Sequence, residues 1–112
     1  MVAYDERLAE RIRELVATDP DVTEQRMFGG VAFLVGGNLA VSASGQGDLM
    51  VRVDPAEADR LVASTTARPM EMRGRAMRGW LRLDLDAVTT KRSLARWVRV
   101  GTAYARSLPS KR

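Results

Sequence analysis

Along the first stretch of the chain the apolar positions Tyr4, Leu8, Ile12, Leu15 and Val16 recur at the spacing of one helix face, with Glu and Arg opposite. The pattern predicts an amphipathic helix from Tyr4 to about Ala17. Thr18-Asp19-Pro20-Asp21 ends it, because proline disfavours helix at the residue before it and Asp supports a turn. The period then changes from 3.6 to two. Thr23 to Phe28 predicts a first strand running into Gly29-Gly30, and Val31 to Val35, apolar on both faces, predicts a central strand. Gly36-Gly37-Asn38 fits a tight hairpin whose turn demands positive φ, and Leu39 to Ser44 is the returning strand. Gly45-Gln46-Gly47-Asp48 turns the chain into Leu49 to Val53, where Leu49, Val51 and Val53 alternate with Met50 and Arg52.

Asp54-Pro55-Ala56-Glu57 supplies a capping carboxylate, a first-turn proline and an acid, so a short helix from about Pro55 to Ser64 follows. Pro69 to Arg73 and Trp80 to Leu85 predict two further strands, the second alternating Leu81, Leu83 and Leu85 with Trp80, Arg82 and Asp84. Between them Gly74-Arg75-Ala76-Met77-Arg78-Gly79 is expected as a basic connector, exposed or facing an anion. Leu94, Trp97, Val98, Gly101, Tyr104, Ala105 and Leu108 form the stripe of a last helix from about Thr90 to Ser107, closed by Pro109 and a basic tail expected to fray. The order α-β-β-β-β-α-β-β-α defines a two-layer α+β domain with an antiparallel sheet whose one face is covered by helices. The other face is expected to carry Met50, Arg52, Trp80 and Arg82.

Composition narrows the chemistry. With 112 residues, 46% hydrophobic and 29% charged, the chain suits one folded domain over residues 1–112 and not a disordered polyelectrolyte. Cysteine and histidine are both absent, which excludes disulfide scaffolds, zinc fingers, thiol and Ser-His nucleophiles, and imidazole acid-base catalysis. No enzyme, cofactor or metal site is expected. The longest strongly apolar run is Val31 to Val35, far short of the ~20 residues that cross a bilayer. The opening Met-Val-Ala-Tyr-Asp-Glu places acids where a secretory leader carries positive charge. A cytoplasmic protein without a membrane partner is expected.

The net charge of +4 is unevenly placed. Residues 1–67 hold six bases against eleven acids, net −5, whereas residues 68–112 hold twelve bases against three acids, net +9. Clustered cations displace counterions from a polyanion, so the second part could meet nucleic acid; equally, the two parts could neutralise each other on folding. The densest stretch, Arg68, Arg73, Arg75, Arg78 and Arg82 with Trp80 as a stacking ring, is the candidate binding surface. Lys91, Arg92, Arg96 and Arg99 would join it if the connector lay beside the last helix. No helix-turn-helix, RNP-type or zinc signature accompanies it. Asp84 and Asp86 would share a strand face, but no third carboxylate lies near in sequence and a solvated strand exit is preferred. Of the numerous methionines most are expected in the core, with Met50 and Met77 the exposed members. Gly29-Gly30 lacks the lysine and the spacing of a phosphate or dinucleotide loop, so a tight turn or bulge is expected there.

Two separated motifs carry a family resemblance. Met27-Phe28-Gly29-Gly30, set between a first strand and a buried second one, resembles the Met-Phe-Gly-Gly signature of TfoX (Sxy) N-terminal domains. The segment from Ala67 to Trp80, Ala-Arg-Pro-Met-Glu-Met-Arg-Gly-Arg-Ala-Met-Arg-Gly-Trp, is similar to that family's later stretch. The resemblance implies a fold similar to secretion-chaperone-like domains, which often dimerise. It also implies a link to natural competence, because full-length members act with the cyclic-AMP receptor protein on DNA-uptake genes. Those regulators usually carry a second, C-terminal domain, and the expectation here is a stand-alone N-terminal unit. The family supplies no catalytic residues, and Met27, Phe28, Gly29 and Gly30 are expected as a structural turn.

The expected function is therefore a non-enzymatic regulatory domain acting through protein contacts, with an unidentified protein partner and a homodimer as one expected form. Direct nucleic-acid binding through residues 68–112 is the runner-up.

Overall fold

A computed structural model describes residues 4–111. The chain runs α1 (Glu6–Leu15), β1 (Val22–Met27), β2 (Gly30–Val35), β3 (Asn38–Ala43), β4 (Leu49–Arg52), α2 (Pro55–Ser64), β5 (Arg68–Met72), β6 (Arg75–Leu83), a 3-10 turn (Leu85–Val88) and α3 (Lys91–Ser107). This is the expected order, α-β-β-β-β-α-β-β-α. The strands form one six-stranded antiparallel sheet in the order β1-β2-β3-β4-β6-β5. The chain leaves β4 through α2, returns as the edge strand β5, and closes the gap with β6.

The caps explain where the helices start. Asp5 accepts from the Leu8 amide at 2.8 Å, Asp54 from Ala56 at 2.9 Å with Pro55 in the first turn, and Thr90 from Ser93 at 3.0 Å. All three helices lie on one side of the sheet, α1 against β3 and α3, α2 against β5 and β6, and α3 across β2 to β4. Their apolar stripes meet the inward residues of the central strands. Leu8, Ile12, Phe33, Val41, Leu49, Val51, Leu81, Leu83 and Leu94 are all essentially inaccessible, and Trp97 closes the layer. Burial of this kind supplies the main driving force for folding.

Four expectations at the C-terminal half are corrected. The 74–79 segment is strand, not an exposed connector: β6 begins at Arg75, and Arg73-Gly74 alone make the turn, both at positive φ (56° and 78°). Leu85 does not continue the buried alternation of Leu81 and Leu83, because the strand ends at Leu83 and Leu85 opens the 3-10 turn, 37% exposed. Asp84 and Asp86 therefore share no strand face; Asp84 stands just before that turn with its carboxylate on Arg68 rather than on a turn amide, and Asp86 lies within the turn. The tail does not fray through Lys111, since the Lys111 amide donates to the Gly36 carbonyl at 2.7 Å and Asn38 Nδ2 to that of Pro109 at 3.0 Å. Met1 to Ala3 and Arg112 lie outside the described residues.

Candidate functional site

Pleat alternation decides what the uncovered sheet face carries. Ala32, Ser42, Met50, Arg82 and Arg68 are successive cross-strand partners over β2, β3, β4, β6 and β5, and Arg52 pairs with Trp80 in a neighbouring row. The face anticipated from Met50, Arg52, Trp80 and Arg82 is thus present. On it lies a groove of about 510 Å³, within the range of about 300–1,000 Å³ typical of ligand sites.

Every methionine among the described residues lines this groove: Met27, Met50, Met70, Met72 and Met77. The expectation that most would fill the core is corrected. Leucine and valine, with alanines, Ile12, Phe33 and Trp97, fill the space under the helices. The thioethers instead stand half-exposed on the free face, Met72 at 51%. Met70 and Met72 share a face of β5, as alternation demands. Gly79, at φ 86°, shifts the parity of β6, so that Met77 before it and Trp80 after it both reach the groove.

The two ends of the groove are built differently. At one end β1 and β2 are joined by Phe28-Gly29, both at positive φ (54° and 76°), the pattern of a two-residue hairpin turn. This turn packs on the β3–β4 turn backbone to backbone. A Cβ on Gly30 would stand 2.3 Å from the Ala43 carbonyl oxygen, and one on Gly45 2.8 Å from that of Phe28. Glycine at both positions is a condition of the contact. The Phe28 ring is 93% exposed at the groove's lip, on a backbone conformation that ordinary L-residues avoid at a cost of roughly 1–2 kcal/mol. At the other end the β5–β6 hairpin raises Met70, Met72 and Met77 as a wall.

A polar network sits at the groove floor. Arg82 Nε and Nη2 donate to the two Asp48 carboxylate oxygens, each at 2.9 Å, and Nη2 also reaches Ser44 Oγ at 3.1 Å. Ser44 Oγ donates to Asp48 and accepts from the Gln46 amide at 3.1 Å. The Arg82 and Asp48 side chains are only 11% and 13% exposed. Burial works to raise the Asp48 carboxyl. The hydrogen bonds from Arg82 and Ser44, with the Arg82 charge, outweigh it and hold the group below the ordinary aspartate range. The paired charges leave the floor neutral. Arg82 Nη1 faces the Met50 sulfur at 3.9 Å.

The other cations of the candidate surface are not brought into one patch. Arg68 pairs with Asp84 at 2.5 Å and lies 3.8 Å from Asp48. Arg78 turns away toward α2, where Nη2 meets the Pro55 carbonyl at 3.5 Å. Arg75 pairs with Met72 across the hairpin and shares its groove-side face, while Arg73 occupies the turn. The Trp80 ring is covered by Arg52, whose guanidinium carbon is 5.2 Å from the Trp80 centroid and 5.8 Å from that of Tyr104. Lys91, Arg92, Arg96 and Arg99 belong to α3, on the opposite side of the sheet, so the basic hairpin and the last helix do not make one surface. Asp84 and Asp86 border a separate, smaller cleft with Thr66 and Ala87. Among the described residues no group of three or more acidic side chains is placed to hold a metal ion, and no helix is long and apolar enough to cross a membrane.

Sequence reading named the sheet face but missed two parts of this site. Ser44 is expected from the sequence only as a strand end and Asp48 only as a turn residue, and nothing local tells that Arg82, far along the chain, closes on them. The methionine wall was signalled only as alternation in 69–73, which does not say which face is covered.

Fold and site together define a two-layer α+β domain with an apolar, methionine-lined groove on the free face of its sheet. Residues 14–105 match the TfoX N-terminal domain, nearly the whole chain, and the protein belongs to that family, whose domains are generally non-catalytic, regulatory and linked to competence. No curated protein and no solved structure matches the chain.

Proposed function

We propose that this protein is a non-enzymatic regulatory domain that acts by holding a protein partner on the free face of its sheet, in the control of competence that its family suggests. The observation that carries the reading is the groove. Its lining is apolar and adaptable, Phe28 and Met72 present large apolar surface to solvent at its two ends, and such surface on a small domain marks an interaction site. Flexible thioethers re-pack around different apolar shapes, which suits recognition rather than bond making. The side chains that face one another here, Arg82, Asp48 and Ser44, are engaged with each other and leave no free base beside a nucleophile.

Direct nucleic-acid binding remains the second reading, favoured by Arg73 and Arg75 on the hairpin, which have no carboxylate partner among the described residues. The placement of methionine allows one experiment to separate the two. Replacing methionine with its photo-reactive diazirine analogue puts cross-linkers throughout the groove. Illumination in the native host is expected to couple the domain to protein, and Trp80→Glu to remove that product. Cross-links to nucleic acid would favour the second reading, and products unaltered by Trp80→Glu would overturn the role of the groove. Cross-links between two copies would identify the partner as a homodimer mate.

A further inference from the structure

The groove's charge distribution says what kind of segment fits it. Its lining is mostly methionine and aromatic, and the polar network at its floor is electrically neutral, because Arg82 and Asp48 cancel each other and Asp84 occupies Arg68. Its hairpin rim is cationic: Arg73 sits at the tip and Arg75 on the groove side of β6, next to Met72 and Met77, and neither has an ion-pair partner among the described residues. Arg52, held between the Trp80 ring and Tyr104 of α3, lies outside the groove's lining. The one acid in the hairpin, Glu71, lies between Met70 and Met72 in β5, so alternation directs it to the other face. Apolar lining, neutral floor and basic rim together are complementary to apolar side chains flanked by carboxylates.

Resting on the reading of the groove as a protein-docking site, we propose that its occupant is an acidic amphipathic helix of a partner protein. Leucine-like side chains at i, i+4 and i+7 seat among Met50, Met70, Met77 and the Trp80 ring, and the helix's Asp or Glu side chains face Arg73 and Arg75. A helix is the fitting form because the free face of the sheet offers what its covered face gives α2 and α3, a pleated apolar surface that accepts a helical stripe. Adding a strand to the β5 edge is the weaker alternative, since Pro69 removes a backbone donor there. The neutral floor decides against a phosphate backbone, which has no apolar side chains to fill it. Methionine makes the floor tolerant of the occupant's exact shape, so charge sets the selectivity.

The test uses two designed helical peptides with leucines at i, i+4 and i+7, one carrying glutamates elsewhere and the other lysines, together with a random-sequence DNA duplex. Binding is followed by peptide or duplex anisotropy and by the emission of Trp80, with buried Trp97 as the internal constant. The acidic peptide is expected to bind at least tenfold more tightly than the basic one and to shift the emission. Arg73→Glu with Arg75→Glu is expected to lower that affinity tenfold or more and to reverse its salt dependence, while the melting curve stays in place because both residues are exposed and unpaired. Trp80→Glu is expected to lower the affinity for both peptides. Equal affinity for the two peptides, with the emission shift present in both, overturns the acidic-helix proposal and leaves the groove as a docking site. No emission shift with either peptide overturns both. Tighter binding of the duplex than of the acidic peptide, abolished by the same double substitution, assigns the rim to nucleic acid. A dimer by light scattering that the acidic peptide does not dissociate assigns the groove to a second copy.

Discussion

Trp97 and Trp80 stand on opposite sides of the same sheet and show how differently its two faces are built. Trp97 belongs to α3, is 4% exposed, and closes a layer of leucine and valine under three helices. Trp80 belongs to β6, lies half-exposed under a guanidinium, and borders five methionines. One strand serves both faces: Leu81 and Leu83 point to the helices, Trp80 and Arg82 to the groove. Branched and stiff side chains fill the space that must be unique, and unbranched sulfur-bearing ones cover the space left open. The contrast separates residues that hold the fold from residues free to meet something else.

Truncation on each face tests that separation most severely. Phe33→Ala should lower the unfolding free energy by about 3–5 kcal/mol, because it opens a cavity under the helices. Met50→Ala, where solvent already reaches the side chain, should cost about 1 kcal/mol or less. Urea unfolding of the two variants measures both, and equal losses would erase the distinction between the faces.

The ion pair at the groove floor is the one place where the free face contributes strongly to the fold. Arg82→Met removes both guanidinium hydrogen bonds from the largely buried Asp48 carboxylate and leaves it only Ser44 Oγ and Arg68, 3.8 Å away, so it should cost about 2–3 kcal/mol near neutral pH, less than breaking a fully buried pair because water and Arg68 still reach it. The pH dependence has a definite sign. Asp48 has a lower pKa folded than unfolded, so its stabilisation is complete above the ordinary value of about 3.9 and is lost as pH falls through the folded value. The gap between wild type and Arg82→Met should therefore be widest at pH 5–7 and narrow below about pH 4. Urea titrations at pH 6 and pH 3 read it; a gap that does not narrow would mean that the carboxylate is not what the substitution exposes.

Phe28 sharpens the comparison at the smallest scale, since its ring packs in neither layer. Phe28→Asn keeps a residue that accepts positive φ and removes the exposed ring. It should leave stability unchanged or raise it by about 0.5 kcal/mol while weakening capture of the acidic peptide. Thermal melting and anisotropy on the same sample check the two halves. A large loss of stability would show that the ring is a packing residue after all.

The extent to which all this was legible in the chain varied with how local each feature is. The helices were readable because their stripes repeat within a few residues and Asp54-Pro55 and Thr90 sit at their starts. The hairpin at Gly36-Gly37 was readable from residues that tolerate positive φ, whereas the strand expected to run through Phe28 ends at Met27 and the turn falls on Phe28-Gly29, one residue before the glycine pair that signalled it. The hairpin at Arg73-Gly74 was hidden because arginine seldom takes that conformation, so a strand beginning at Arg75 looked like a basic loop.

Element order, the antiparallel architecture and the membership of Met50 and Trp80 on one sheet face are properties of periodicity, and the chain determines them by itself. Where neither side of a strand is aliphatic, as in β5, which face the helices cover, and so whether Met70 and Met72 are core or surface, is decided only when the sheet is assembled, since alternation distinguishes two sides without ranking them. The joining of Ser44 and Asp48 to Arg82, and the separation of Arg75 from Arg78 and from the cations of α3, likewise depend on strand neighbours that are distant in sequence. Those contacts form because burial and charge pairing act through space, and no spacing along the chain encodes them.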